Sequence, residues 1–295
     1  MENPDKHVAI DQVAESLSER IQASEAAISK SGTGGSIRHS VCRWCYDDIP
    51  LEDFCIAVKE MGFESIDLLD TSDFKVIEKH GLTCAMVSFP TATTKDGVEV
   101  GMIEKAFNRI EHHDALVEVY EKKLKECADV GAERLICFSG NREGMDDEQG
   151  LENCAIGLER ILPLAEKLGV TLTMELLNSK VEHPDYMCDL SIWGTALVDR
   201  IGGSNFKLLY DIYHMQVMEG DVIATIRDKH EYFSHYHTGG VPGRNEIDAS
   251  QELYYPAIMR AIIETGYQGF VGQEFVPKRK DKLQSLKQGI EICTV

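Results

Sequence analysis

The chain of 295 residues is short of positive charge and of long apolar runs. It has 30 Lys and Arg against 50 Asp and Glu, which gives a net charge of -20 at pH 7. Because nucleic-acid binding needs Lys and Arg to neutralise phosphates, we expect no nucleic-acid partner. No stretch reaches the ~18 apolar residues of a membrane-spanning helix, so we expect no membrane partner. The N-terminus also lacks the basic and apolar regions of a secretory signal, and we therefore expect a cytoplasmic protein.

A second cysteine pair is also missing. Cys42 and Cys45 form one CxxC, but the usual structural zinc site needs a second pair. The two residues begin a predicted strand, where side chains three positions apart point to opposite faces. Most of the nine cysteines lie within apolar patterns, as free thiols do in a reducing compartment. We interpret them as core residues without a redox or zinc role.

The apolar pattern and the glycines divide the chain into two segments of unequal length. Apolar residues recur at helical spacing over 8–30, and the Gly/Ser-rich stretch 31–36 has the composition of a flexible linker. We therefore predict an N-terminal helical extension over 1–36 and a second domain over 37–295. The extension carries no residues to which we assign chemistry.

From residue 37 onward, strand and helix patterns alternate eight times. Strands are predicted over 40–46, 64–69, 82–88, 133–138, 171–178, 206–211, 232–237 and 269–275. Glycines close several of the intervening helices, as left-handed caps do. Eight such units predict an α/β fold, a (β/α)8 TIM barrel. A doubly wound open sheet is the alternative, but no Gly-rich phosphate loop follows the first strand.

Four successive predicted strands end in side chains that bind metals: Glu175, Asp211, His237 and Glu274. Singly, each is better explained as a helix cap, an ion pair or a core histidine. In a barrel, however, the C-terminal ends of all strands meet at one mouth, so these side chains should converge. Three carboxylates brought together repel one another unless a cation joins them. An oxygen-rich set with one imidazole suits Mg²⁺ or Mn²⁺, with Co²⁺ also compatible, better than Zn²⁺.

Motifs at these strand ends carry a family resemblance that covers about 37–295. They are SGNR at 139–142, MELLN at 174–178, DIYHMQ at 211–216, HYH at 235–237, GGVPGRNE at 239–246 and GQE at 272–274. In their order and spacing, the chain resembles the hydroxypyruvate isomerase family of the xylose-isomerase-like TIM barrel superfamily. The resemblance implies that Glu175, Asp211, His237 and Glu274 bind the metal, and that Glu175 and Glu274 act as the acid/base pair. It also implies a homo-oligomer, with an acidic monomer as the alternative.

The activity implied by the resemblance is the isomerisation of hydroxypyruvate to tartronate semialdehyde. A carboxylate removes a proton beside the carbonyl, and a metal stabilises the resulting enediolate. The chain departs from the pattern at His237, where hydroxypyruvate isomerases often have Gln and sugar epimerases of the superfamily have His. A ketose 3-epimerase is therefore the alternative.

Two remoter functions are an abasic-site endonuclease and a non-catalytic sugar-binding protein. The endonuclease needs further histidines on the early strands, and 64–69 and 82–88 contain none. A binding protein does not need both Glu175 and Glu274.

Two residues near the strand ends are candidates for holding a small hydroxy-carbonyl substrate. The resemblance implies that His214 and Arg244 bind substrate oxygens, and a guanidinium suits a carboxylate well. The alternatives are a solvent-facing helix start for His214 and a surface ion pair with Glu246 or Asp248 for Arg244.

The connection over 89–112 is too long for a simple turn. It is either a lid over the mouth or a structural excursion with a helix of its own. Asn108 and His112, which lie in it, are the remaining candidates for substrate binding.

Overall fold

The fold is built on a ring of parallel strands, as the alternating pattern predicts. The computed structural model describes residues 36–295, so the helix predicted over 8–30 and the linker up to residue 35 lie outside the described residues. The strands are β1 (Arg38–Cys42), β2 (Ser65–Asp67), β3 (Ala92–Thr93), β4 (Glu99–Val100), β5 (Arg134–Cys137), β6 (Thr171–Glu175), β7 (Phe206–Asp211), β8 (Phe233–Thr238) and β9 (Phe270–Gln273).

Seven of these strands form one sheet in the order β2-β1-β9-β8-β7-β6-β5, with every neighbouring pair parallel. The short strands β3 and β4 pair separately as an antiparallel hairpin. The strands are buried on both faces, which is typical of parallel sheets covered by helices. The predicted boundary between an extension and a barrel at residue 36 stays a prediction.

The ring closes through residues 82–88, which the sequence predicts as a third strand. They form isolated bridges instead, with β5 on one side and with β2 and the residues after it on the other. Leu68 N donates to Met86 O at 2.7 Å, and Val87 N donates to Arg134 O at 3.0 Å. The continuous strand is not observed because the Ser65 hydroxyl, rather than a backbone carbonyl, accepts from Ala85 N.

Ten α-helices lie in the described part of the chain. They are α1 (Leu51–Met61), α2 (Phe74–Lys79), α3 (His113–Asp129), α4 (Asp147–Glu159), α5 (Leu162–Leu168), α6 (Ser191–Ile201), α7 (Ile212–Met218), α8 (Val222–Lys229), α9 (Tyr255–Glu264) and α10 (Lys282–Cys293). α1 and α5 end at glycines with left-handed φ, as their sequences predict. α4 and α5 are separate helices rather than one, because Pro163 cannot continue a helix from its preceding turn.

The described helices and cysteines bear on two further features of the composition. No described helix has the length and hydropathy that crossing a membrane requires. All nine cysteines are free and buried, which confirms their interpretation as core residues. The cytoplasmic location and the homo-oligomer stay predictions.

Candidate active site

Four metal-binding side chains meet at the C-terminal mouth of the ring. Glu175 and Asp211 are the last residues of β6 and β7, His237 lies next to the end of β8, and Glu274 directly follows β9. The strand register pairs Asp211 with His237. One ligand atom from each of the four residues lies within 4.8 Å of the others, and all four side chains are buried. We call these four residues the ligand cluster.

Opposite charges lie close together in the ligand cluster. His237 Nδ1 is 2.9 Å from Glu274 Oε2 and 3.7 Å from Glu175 Oε1. Arg244 Nη2 is 2.7 Å from the same Glu274 oxygen and 3.7 Å from Asp211 Oδ2. One imidazole and one guanidinium therefore face three carboxylates.

The carboxylates of the cluster differ in their acidity. Burial raises the pKa of Glu175, and the nearby charge of Glu274 raises it further. Burial also raises the pKa of Asp211 well above its usual value. For Glu274 burial again opposes ionisation, but the charges of His237 and Arg244 outweigh it and hold the pKa well below the usual range. The protein's own cations thus compensate Glu274 and leave the other two carboxylates undercompensated.

Unpaired polar atoms show that the cluster fits a divalent cation. Glu175 Oε1 and Asp211 Oδ2 have no hydrogen-bond partner among the described residues, and His237 Nδ1 approaches Glu274 without the alignment of a hydrogen bond. Buried polar atoms are paired in the great majority of cases, so three unpaired atoms in one cluster require an explanation. Converging carboxylate oxygens with one imidazole nitrogen are the donors that hard divalent cations take.

His214 lies in the first turn of α7, buried and turned inward, so its solvent-facing alternative is wrong. Its Nδ1 accepts from the backbone N of Asn178 at 3.0 Å and lies 2.7 Å from the Asn178 amide nitrogen. A neutral ring must then carry its proton on Nε2, which has no hydrogen-bond partner in residues 36–295 and lies 4.0 Å from Asp211 Oδ2. Burial, with the charge of Arg244, lowers the pKa of His214 well below its usual value. His214 is therefore a neutral N–H donor beside the cluster.

Arg244 is also buried, in the tight loop that follows β8. Its Nη2 donates to Glu274 Oε2 at 2.7 Å, and its Nη1 lies 3.4 Å from Glu182 Oε2. The surface ion pair with Glu246 or Asp248 is not formed, because both of those acids have other partners. Arg244 has a left-handed φ of 54°, which is uncommon for a residue other than glycine and frequent at functional sites. Its contact with a substrate stays a prediction.

Asn108 and His112 do not line the mouth pocket formed by the described residues. The Asn108 amide donates to Asn141 O at 2.6 Å, and His112 Nδ1 bonds Ala106 O at 3.2 Å. Both side chains hold the 89–112 connection in place, so the structure gives no support to a substrate-binding role for them. The connection contains the β3–β4 hairpin and, at its end, the short 3₁₀ helix Ile110–His112.

A pocket of about 270 Å³ opens beside the ligand cluster. It is slightly smaller than the ~300–1,000 Å³ typical of small-molecule sites. Its polar lining comes from Trp44, Glu175, His183, Arg244 and Glu274. The rest, which we call the apolar wall, comes from Leu68, Phe89, Ile103, Ile136, Phe138 and Leu177. Such a pocket suits a small polar ligand that is enclosed on one side.

Trp44, Asp67 and His235 lie in or beside the cluster and were not assigned a role from the sequence. Trp44 Nε1 donates to Glu274 Oε1 at 2.7 Å. Asp67 lies beneath His237, and its Oδ2 is 2.6 Å from His235 Nε2. Asp67 ends β2, so the strand-end rule that identifies the ligand cluster would have found it. Trp44 lies in a 3₁₀ turn after β1 that no sequence pattern marks.

Comparison with known proteins finds a family model and several relatives. The family model described as "Xylose isomerase-like TIM barrel" matches residues 55–293. A human protein named "Putative hydroxypyruvate isomerase" is 33% identical over 113 residues, which cover 38% of this chain and only 40% of that protein's length. The Xenopus laevis protein of the same name is 24% identical over 249 residues, which cover 80% of this chain and 88% of that protein.

A solved structure agrees in fold. The structure described as "AP endonuclease, family 2 from Brucella melitensis" is 24% identical, covers 86% of this chain and 97% of its own, and has a TM-score of 0.72. At this identity the likeness concerns the fold alone. The family model covers most of the barrel, including the whole ligand cluster, and the (β/α)8 prediction is confirmed. The chain therefore belongs to the xylose isomerase-like TIM barrel family.

Proposed function

We propose that the protein is a divalent-metal-dependent isomerase of a small hydroxy-carbonyl compound, with hydroxypyruvate as substrate and tartronate semialdehyde as product. The observation that carries the proposal is the convergence of Glu175 and Glu274, with Asp211 and His237, on one pocket. The names of the human and Xenopus relatives support the choice of substrate.

The ligand cluster would hold the cation, and Mg²⁺ or Mn²⁺ suits its donors best, with Co²⁺ also compatible. A bound divalent cation supplies Lewis acidity, which stabilises negative charge on the substrate oxygens. The donor set favours these ions over Zn²⁺, because three of its four members are carboxylates.

Two carboxylates move the proton. Isomerisation removes a proton from the carbon beside the carbonyl and returns a proton to the neighbouring carbon, through an enediolate. We assign Glu274 as the base, because Trp44 and Arg244 hold its two oxygens in one orientation. Glu175, on the adjoining side of the pocket, is the acid. A well-placed acid or base contributes roughly 10²–10⁴-fold to the rate.

Two further groups orient the substrate. The Nε2–H of His214 donates to a substrate oxygen, since Asn178 occupies the other ring nitrogen. The apolar wall lines the same pocket as the acids, and it would limit the water that reaches the enediolate. Arg244 holds Glu274 and lies within reach of a substrate oxygen on the same side.

The test follows solvent deuterium into substrate with Mn²⁺-loaded protein. Hydroxypyruvate and a panel of ketoses are incubated in D₂O, and the products are analysed by NMR and mass spectrometry. Exchange into hydroxypyruvate, with formation of tartronate semialdehyde, is the expected result. Absence of exchange into every compound of the panel overturns the proposal.

A ketose 3-epimerase is the second candidate, because His237 stands where sugar epimerases of this superfamily have His. That reaction uses the same ligands and the same pair of acids. Deuterium at C3 of a ketose, with none in hydroxypyruvate, would move the assignment to this activity.

A further inference from the structure

A second polar cluster lies beneath the ligand cluster, inside the ring. Asp67 at the end of β2 and His235 on β8 are both fully buried. His235 Nε2 is 2.6 Å from Asp67 Oδ2, and His237 Nε2 is 3.4 Å from the same oxygen. The two clusters are therefore joined through one imidazole ring, that of His237.

Asp67 is held firmly in its place. Ser40 Oγ donates to Asp67 Oδ1 at 2.6 Å, which leaves Oδ2 directed at the two histidines. The backbone of β9 lies against this pair at Gly272, where an added Cβ would be 2.6 Å from Asp67 Oδ2 and 2.8 Å from His237 Cδ2. No larger residue fits between them without displacing one of the two. The contact is therefore a built feature of the barrel interior.

The two nitrogens of His237 face different surroundings. Nδ1 points to the carboxylates of the ligand cluster. A ring nitrogen binds a metal only through its lone pair, so the ring proton must then be on Nε2. Nε2 has two neighbours: the Cys42 thiol, with Sγ at 3.5 Å, and the Asp67 carboxylate.

These two neighbours favour opposite positions of the proton. A thiol can donate its S–H to Nε2, which would place the ring proton on Nδ1 and block metal binding. An ionised carboxylate can only accept, so it favours a proton on Nε2. His235 donates to the same Asp67 oxygen and keeps that oxygen beside the ring.

We propose that Asp67 is a positioning residue that keeps the proton of His237 on Nε2 and so sets the affinity of the ligand cluster for a divalent cation. The inference rests on the proposed metal site. Asp67 is not a member of the ligand cluster and does not line the mouth pocket. Loss of such an outer carboxylate typically costs about 10–100-fold in metal affinity.

The test is Asp67→Asn in the full chain, with Mn²⁺ as the probe. Calorimetry measures Mn²⁺ affinity, and electron spin-echo modulation detects the imidazole nitrogen on bound Mn²⁺. We expect a loss of affinity of about 10–100-fold together with weakened nitrogen modulation. Asp189→Asn is the matched control, because Asp189 is a buried carboxylate paired with Arg142 outside the mouth pocket. It should leave both readouts unchanged.

Gly272→Ala keeps the inference falsifiable where Asp67→Asn fails to fold. It keeps every ligand and every charge but separates Asp67 from His237, so Mn²⁺ affinity and nitrogen modulation should again fall. Wild-type affinity and modulation in a folded Asp67→Asn or Gly272→Ala protein overturn the positioning role alone. A wild-type protein that binds no divalent cation overturns both this inference and the metal site.

Discussion

The two sides of the mouth pocket differ in chemistry and in their origin along the chain. The ligand cluster comes from four successive strands, β6 to β9, and leaves buried polar atoms without partners in the described structure. The apolar wall comes mainly from the earlier part of the barrel and from the 89–112 connection, and its members are hydrocarbon side chains. Buried polar atoms without partners destabilise the folded state, whereas burial of apolar side chains stabilises it. The ligand cluster therefore suits a role in the chemistry, and the apolar wall suits a role in enclosing the ligand.

Glu274→Gln, a change in the ligand cluster, should have the largest effect. We expect turnover to fall by at least about 10²–10⁴-fold, because an amide cannot accept the substrate proton. Solvent deuterium exchange measures the rate, and calorimetry checks that Mn²⁺ still binds. Glu219→Gln is the control, since Glu219 accepts from Ser191 N outside the pocket. Near-normal exchange in Glu274→Gln with metal bound removes Glu274 from the mechanism.

Asp211→Asn should separate stability from function. Burial raises the pKa of this carboxyl, so its ionisation at neutral pH costs folding free energy. The amide oxygen can still accept from His214 N, the bond that caps α7. We therefore expect the metal-free variant to gain roughly 0.5–2 kcal/mol in unfolding free energy.

The same variant should lose the stabilisation that Mn²⁺ gives the wild type. Thermal unfolding with and without Mn²⁺ measures both effects. A wild-type response to Mn²⁺ in Asp211→Asn would show that Asp211 is not a ligand.

Ile103→Ser tests the apolar wall. A polar group placed there should raise KM by about 10-fold and leave kcat almost unchanged, because Ile103 belongs to the enclosing side. Steady-state kinetics on the substrate identified by deuterium exchange separate the two constants. Ile110→Ser on the same connection is the control, since Ile110 is 54% exposed and outside the pocket. An equal loss of kcat would assign the apolar wall a part in the chemistry.

His39 lies far from the mouth, so its titration should act on folding and leave the activity at neutral pH unchanged. It is the second residue of β1, at the end of the ring away from the mouth, and burial lowers its pKa to about 4. Unfolded histidine titrates near 6.5, so stability falls as the pH drops from about 6.5 to 4, by about 3 kcal/mol in total, and is unaffected above that window.

His39→Asn should flatten this pH dependence in chemical denaturation curves. The rate of deuterium exchange at neutral pH should stay as in the wild type. A pH dependence that survives the substitution would assign the effect to another group.

Much of the ligand cluster could be predicted, because strand ends in a barrel converge by topology and the residue types are visible in the sequence. β7 has the predicted bounds, and its end carries Asp211. The partners of Arg244 could not be predicted, because the choice between Glu246 and Glu274 depends on how a short loop turns. The directions of the Asn108 and His112 side chains could not be predicted for the same reason. The sequence shows that their connection is long but not which side chains turn inward.

The prediction of a third strand over 82–88 was wrong for a different reason. Its residues have a strand pattern, but the Ser65 side chain takes the bond that Ala85 would give a neighbouring backbone. Competition between a hydroxyl and a backbone carbonyl is decided by distances that no periodicity reports.

The interrupted ladder leaves a weakly bonded junction between residues 82–88 and β5, which we call the seam. Two backbone hydrogen bonds join residues 82–88 to β5, whereas longer ladders, with one irregularity at Leu208 and Leu209, join the strands that carry the ligand cluster. Local opening follows the weakest set of bonds, so amide hydrogen exchange should be fastest along this seam and slowest in β7 and β8. The apolar wall borders the seam through Ile136 and Phe138. We therefore expect the apolar wall to open transiently, which would admit and release a ligand, while the ligand cluster stays rigid.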